Sequence, residues 1–198
     1  MFAGWFQMPG VTVSVFTRPR SETPLATGAL DVTDVYAREF EYVWHTLRRL
    51  GVAARDLPDV THDVFVVVHR KAASFEPDRP VRPWLFGIAY RTARDHLHAA
   101  WNRKAAMVET IDDPDPSPGQ DQQLATAQAH ALVHEALQSL DLDRRAVFIL
   151  HDIEELSMTE VSRVLEVPAK TLYARLAVAR TQFVAAVRRI ELRRGGRP

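Results

Sequence analysis

The sequence predicts an all-α protein built as two small helical domains joined by an acidic, proline-rich linker. Three observations predict it. Apolar residues recur at steps of three and four through residues 31–104 and again through 124–192, the period of a helix face rather than of a strand. Between these blocks, residues 109–121 read ETIDDPDPSPGQD and hold a single large apolar residue, Ile111, so no core can form there. The 198 residues are 46% hydrophobic and 25% charged, which is ordinary for a globular chain and excludes wholesale disorder. The chain divides into an extension (1–30), a first domain (31–104), a linker (105–123), a second domain (124–192) and a basic tail (193–198).

Residues 1–30 show no sustained period and contain Pro9, Pro19 and Pro24. They are expected to form a loose extension; if ordered, Trp5, Phe6 and Phe16 should rest against one of the domains. In the first domain, Asp31 or Thr33 is placed to cap a helix. Tyr36, Phe40, Val43, Leu47 and Leu50 follow at steps of 4, 3, 4 and 3 and share one face. Gly51 after Arg48 and Arg49 is a helix stop. Asp56 is expected to cap the second helix, with Pro58 in its first turn and Val60, Val64, Val67, Val68 and Ala72 as its apolar face. Val66–Val68 has strand propensity, but its flanks keep helical spacing. Pro77, Pro80 and Pro83 forbid a helix between residues 74 and 83. A third helix is expected from about Pro83 to Lys104, with Trp84, Leu85, Ile88, Ala89, Thr92 and Leu97 inward.

In the second domain, Leu124 to Leu140 reads as a helix with Leu124, Ala131, Leu132, Ala136, Leu137 and Leu140 apolar. Asp141 or Asp143 starts another, through Val147, Phe148, Leu150 and His151. Ser157-Met-Thr-Glu160 is a capping box, with a hydroxyl at the N-cap and a carboxylate at the third helical position. Val161, Val164 and Leu165 form the inner edge of the short helix it opens. Glu166-Val-Pro168 makes a tight turn. A longer helix follows from about Ala169 to Arg189, with Leu172, Leu176, Ala179, Phe183 and Val187 on one side.

Charge narrows the function. The formal net charge is zero, yet it is unevenly spread. Residues 105–124 hold no basic and five acidic side chains, whereas residues 167–198 hold eight basic and one acidic. A basic C-terminal stripe is the footprint of a polyanion partner. The chain has no cysteine, which excludes a disulfide scaffold, a thiolate zinc site and a cysteine nucleophile. No apolar run is long enough to span a bilayer. The N-terminal stretch lacks the basic flank of a signal peptide. A cytoplasmic location is expected, without membrane insertion.

Residues 157–180 have the layout of a helix-turn-helix: a capped short helix, a tight turn and a longer helix with an open face. The segment AVFILHDIEELSMTEVSRVLEVPAKTLYARLAVAR resembles domain 4 of the extracytoplasmic-function (ECF) sigma factors of the sigma-70 family. The matching positions are Ser157, Glu160, Leu165, Val167, Pro168, Thr171, Arg175, Leu176, Ala179 and Arg180. In the first block, Asp59-Val-Thr-His-Asp-Val-Phe65 resembles the domain 2 helix that docks on a coiled coil of the polymerase β′ subunit. Pro83-Trp-Leu-Phe-Gly-Ile-Ala89 and Asp95-His-Leu97 resemble the helix that melts and reads the −10 element. The resemblance covers roughly residues 31–190.

The resemblance implies a binding protein without enzymatic activity or cofactor. It would bring core RNA polymerase to promoter DNA, with an anti-sigma factor as a further partner that fits between the domains. Domain 4 would read the −35 element with Lys170, Thr171, Tyr173, Ala174, Arg175, Val178 and Arg180. For Arg175 the alternative is an intrahelical salt bridge; for Arg180, packing or a phosphate contact outranks base reading. Domain 2 would capture the −10 strand with Phe75, Arg79 and Arg82 in the loop, and with Tyr90, Arg91, Arg94, His98 and Trp101 on the following helix, where exposed bases need stacking or edge contacts. Trp84 is expected in the core. Asp59, His62, Asp63, Phe65 and Val66 would meet polymerase. The sequence departs from the family pattern at Tyr90 and Arg91, at Ser162, at Lys170, and at Glu166, which stands where Gly is usual. A left-handed Glu there costs roughly 1 kcal/mol relative to Gly.

Three rivals were weighed. A helix-turn-helix regulator acting without polymerase leaves the domain 2 match unused. A core-binding sigma-like protein without promoter activity is suggested by the departures at Arg91 and Glu166. For an enzyme, His130 and His134 have metal-compatible spacing, but a third ligand and an HExxH signature are absent. His62-Asp63 resembles part of a metal phosphohydrolase centre without its other ligands. His96 and His98 point to different helix faces.

Overall fold

The structure is a computed structural model and describes residues 30–106 and 121–195. The expectations for residues 1–29, including Trp5, Phe6 and Phe16, for most of the linker and for the last three residues lie outside these limits. Among the described residues there are seven α-helices and no strand: α1 (Val32–Leu50), α2 (Leu57–Lys71), α3 (Val81–Ala106), α4 (Asp121–Gln138), α5 (Leu142–Phe148), α6 (Met158–Leu165) and α7 (Ala169–Gly195).

Helices α1, α2 and α3 pack on one another as a three-helix bundle. Asp31 caps α1, its carboxylate accepting from the backbone N–H of Thr33 and Asp34. Gly51 ends α1 at φ +97°, the left-handed conformation that releases a helix from its last turn. The core face of α1 is rotated from the one expected. Val35, Val43, Leu47 and Leu50 are buried, whereas Tyr36 is 49% exposed. Tyr36 and Phe40 instead join Phe65 of α2 in a ring cluster at the bundle edge, 4.7 and 6.3 Å from its centroid. Asp56 does not cap α2 with its side chain; its carboxylate takes His96 Nε2 at 3.2 Å. Helix α3 starts at Val81, so Pro83 lies inside its first turn. That is tolerated because the first four amides of a helix have no intrahelical acceptor to lose.

Leu85 to Tyr90 are buried without a break, and Phe86, which periodicity left outside the core, is fully buried. A helix buried all round has neighbours on both sides. For α3 these are α1 and α2 on one side and α6 on the other.

The second domain packs α4, α5 and α6 on the long α7. Asp141 caps α5, which is shorter than expected because the chain continues as a π-turn over Ile149–Ile153. The capping box of α6 is complete: Ser157 Oγ accepts from the Glu160 amide while the Glu160 carboxylate accepts from the Ser157 amide. Substituting such an N-cap by Ala costs about 1 kcal/mol. Glu166 closes α6 at φ +58°, left-handed as expected, and Glu155 at φ +57° is a second such residue that the sequence gave no warning of.

The two domains lie against each other. Arg145 of α5 is buried, and its guanidinium donates across the interface to the carbonyl of Leu50 at 2.7 Å and within its own domain to that of Leu140 at 2.8 Å. It thereby satisfies a C-terminal carbonyl of α1, where a cation is favoured. Tyr42 of α1 donates to the Glu154 carboxylate at 3.0 Å. Arg82 pairs with the buried Glu39 at 2.8 Å and stacks 5.1 Å over the Tyr42 ring.

Candidate nucleic-acid and polymerase interfaces

The open end of α7 follows from the turn that precedes it. Glu166 reverses the chain, Ser162 Oγ holds the turn by donating to the Val167 carbonyl at 2.6 Å, and α7 then starts with its N-terminal turns clear of α6. Lys170, Thr171, Tyr173, Ala174 and Val178 are exposed there, Tyr173 by 59%. Leu172, Leu176 and Ala179 face the core. A helix N-terminus presenting cations, a hydroxyl and an aromatic ring matches what a major groove accepts. Arg175 and Arg180 differ from their neighbours. Arg175 is half-buried and pairs with Asp143 of α5 at 2.9 Å, an interhelical pair in place of the intrahelical alternative. Arg180 forms a two-pronged pair with Asp152, at 2.7 and 2.8 Å, which raises its pKa.

On α3 the candidate residues split in two. Arg94, His98 and Trp101 are exposed, Trp101 by 73%, at steps of 4 and 3 along one face. Tyr90 is buried and donates to Asp143 Oδ1 at 2.6 Å; burial and that bond push its phenol up to about 12. Arg91 is half-buried and pairs with Glu166 at 3.1 Å. In the loop before α3, Arg79 is exposed beside Glu76 at 2.8 Å. Phe75 is buried against Trp84, with ring centroids 5.1 Å apart, and Arg82 is held by Glu39. In this arrangement neither Phe75 nor Arg82 offers a free face to a base, because the loop folds inward to close the end of the bundle.

On α2, Asp59, His62 and Asp63 are exposed on one side and Val66 is half-buried beside them. Phe65 is buried in the aromatic cluster with Tyr36 and Phe40, so it braces α2 from behind and makes no outward contact. The result is an acidic helix face suited to a basic partner.

Several residues that shape these faces escaped the sequence reading. Asp143 and Asp152 hold the two arginines of α7, and Tyr42, Glu154 and Arg145 hold the domains together. Each acts on a residue far away along the chain, so no local spacing marks them. Burial raises the Glu154 carboxyl to about 7, against the opposing pull of its Tyr42 hydrogen bond and of Arg49 and Arg82.

Two helical domains, one ending in a helix-turn-helix and the other carrying an aromatic and basic helix stripe, define a protein of the promoter-recognition class. The comparisons agree. The family model described as Sigma-70 region 2 matches residues 35–103 and that described as Sigma-70, region 4 matches residues 130–183. RNA polymerase sigma factor CnrH of Cupriavidus metallidurans is 32% identical over 146 residues, which cover 70% of this chain and 76% of that protein. ECF RNA polymerase sigma factor SigM of Mycobacterium tuberculosis is 32% identical over 140 residues, covering 70% and 68%. Among solved structures, the sigma factor RpoE in complex with the anti-sigma factor NepR from Bartonella quintana has a TM-score of 0.64 over 79% of this chain and 96% of that one. Its 17% identity makes this a likeness of fold. CnrH in complex with the cytosolic domain of CnrY has a TM-score of 0.52 at 27% identity, covering 78% and 85%.

The chain belongs to the ECF sigma factors of the sigma-70 family. Members of this family support promoter-specific transcription initiation through RNA polymerase, and the family is not one of known enzymes. No helix among the described residues is long and apolar enough to cross a membrane.

Proposed function

We propose that this protein recruits core RNA polymerase to promoters by dividing the work between its domains. Helix α2 docks on the polymerase β′ coiled coil through Asp59, His62 and Asp63. Helix α3 engages the −10 strand through Arg94, His98 and Trp101, with Tyr90 and Arg91 joining from the same helix. Helix α7 reads the −35 duplex through Lys170, Thr171, Tyr173, Ala174 and Val178, with Arg175 and Arg180 released from their carboxylates to reach bases or phosphates. The work takes place in the cytoplasm, on genomic DNA. The carrying observation is the open N-terminal half of α7, where five candidate residues are exposed together behind a capped helix-turn-helix. Cations there neutralise phosphates while the other side chains contact base edges. An anti-sigma factor is a fitting further partner, because the structural neighbour RpoE is seen with one.

The test is to add the purified protein to core RNA polymerase and sequence the transcripts made from fragmented genomic DNA. Discrete start sites sharing two motifs at fixed spacing are expected. Core binding without discrete starts would leave a polymerase-binding protein that has lost promoter reading. Neither binding nor transcripts, from protein shown to be folded and free of inhibitor, would return a polymerase-independent regulator to first place.

A further inference from the structure

The domain interface covers residues that both DNA-reading helices need. The Asp143 carboxylate accepts from Tyr90 of α3 on one oxygen, at 2.6 Å, and pairs with Arg175 of α7 on the other, at 2.9 Å. One acidic side chain therefore holds a candidate −10 residue and a candidate −35 residue at once. Beside it, Arg91 of α3 is tied to Glu166 in the turn of the helix-turn-helix. Gly87 lies so close to α6 that a Cβ there would meet the Val164 carbonyl at 3.1 Å. Domain 4 thus sits on the N-terminal half of the α3 stripe whose other half, Arg94, His98 and Trp101, is open.

We infer that this is a closed, self-covering state, latched by Asp143 between Tyr90 and Arg175, and that the domains must separate before the protein reads a promoter. The inference rests on the proposed division of −10 and −35 reading for the identity of the covered faces. Distance makes separation obligatory under that reading. Elements centred 10 and 35 bases upstream lie about 25 base pairs apart, ~85 Å of B-DNA at 3.4 Å per step. Side chains that share one carboxylate are within a few ångströms of each other. The 14 residues 107–120 span at most about 50 Å when extended, and with the widths of two domains this covers the distance only when the interface is broken. Breaking it exposes an anionic Asp143 and frees two cations, Arg91 and Arg175, for phosphate. Polyanionic DNA therefore binds the open form better than the closed one and shifts the population toward it.

The test uses the full chain, which has no cysteine, so Arg70→Cys and Arg188→Cys, both exposed, provide the only two spin-label sites. Electron–electron double resonance on the free protein should give one narrow interdomain distance. Gly87→Val, a wedge aimed at the Val164 carbonyl that leaves every charge in place, should broaden and lengthen it, with helix content by circular dichroism unchanged. Asp143→Asn should do the same. Both should bind a 40-base-pair duplex of random sequence about five- to tenfold more tightly than the parent, the scale of ordinary coupling between sites. A broad, long distance in the unmodified protein overturns the inference. So does tighter binding by Asp143→Asn alone, since removal of a negative charge then explains it. If Gly87→Val does not fold, the distance in Asp143→Asn decides. None of these distances depends on polymerase, so loss of transcription in the earlier experiment and loss of closure here are separate results.

Discussion

The guanidinium of Arg145 occupies the space that a side chain at Gly51 would fill. A Cβ on Gly51 would collide with Arg145 Nη1 and approach Gln138 Oε1 at 2.9 Å. Gly51 thus does two jobs, turning the end of α1 at φ +97° and leaving a seat for a cation from the other domain. Gly51→Ala is expected to destabilise the chain by about 2–4 kcal/mol, combining left-handed strain with overpacking. Urea unfolding measures it; a loss below ~1 kcal/mol would mean that Arg145 has an equally good alternative seat.

Glu154 makes the interface sensitive to pH. Its carboxyl is raised from 4.5 to about 7 by burial, so the closed protein holds a proton that the unfolded chain releases at lower pH. The stability linked to it is full below about pH 4.5 and is lost as pH rises to about 7 and beyond. Glu154→Gln mimics the protonated form and keeps a partner for Tyr42. The melting temperature of this variant should exceed that of the parent at pH 8, by an amount of order 1–3 kcal/mol in stability, and should match it near pH 4.5. Parallel pH profiles for the two proteins would contradict this assignment.

Glu166 sets two small effects against each other. Replacing it by Gly relieves about 1 kcal/mol of left-handed strain. It also deletes the Arg91 pair, whose glutamate side is 74% exposed and which is accordingly worth about 0–1 kcal/mol. Glu166→Gly should therefore leave denaturant stability unchanged or raise it by up to ~1 kcal/mol. A clear loss would show that the pair to α3 outweighs the strain.

Lys170 and Arg180 should separate in DNA binding. Lys170 is exposed at the start of α7, so Lys170→Ala should weaken duplex binding and reduce the slope of log affinity against log salt by about 0.9, one phosphate contact. Arg180 already has the Asp152 carboxylate at 2.7 and 2.8 Å, so Arg180→Ala should move the slope less. Equal slope changes would show that the Asp152 pair opens whenever DNA is bound.

The sequence by itself determined the helices, because their signals are local. Asp31, Gly51, the Ser157–Glu160 box and the turn at Glu166 each act within a few residues, and the structure places them as caps and stops. The helix-turn-helix and the exposed row on α7 were legible for the same reason. Faces were less legible where tertiary contacts chose between neighbours. Tyr36 lost its core place to Val35 because the aromatic cluster with Phe65 claimed it, and Phe65 and Phe75 turned inward to close the first bundle. What only the tertiary structure decided is the meeting of the two domains. Arg145 with Leu50, Tyr42 with Glu154, and Asp143 between Tyr90 and Arg175 join residues far apart along the chain. Hydrophobic periodicity reports which side of a helix avoids water. It carries no information on which distant carboxylate will face which distant arginine, because that depends on how two finished surfaces fit.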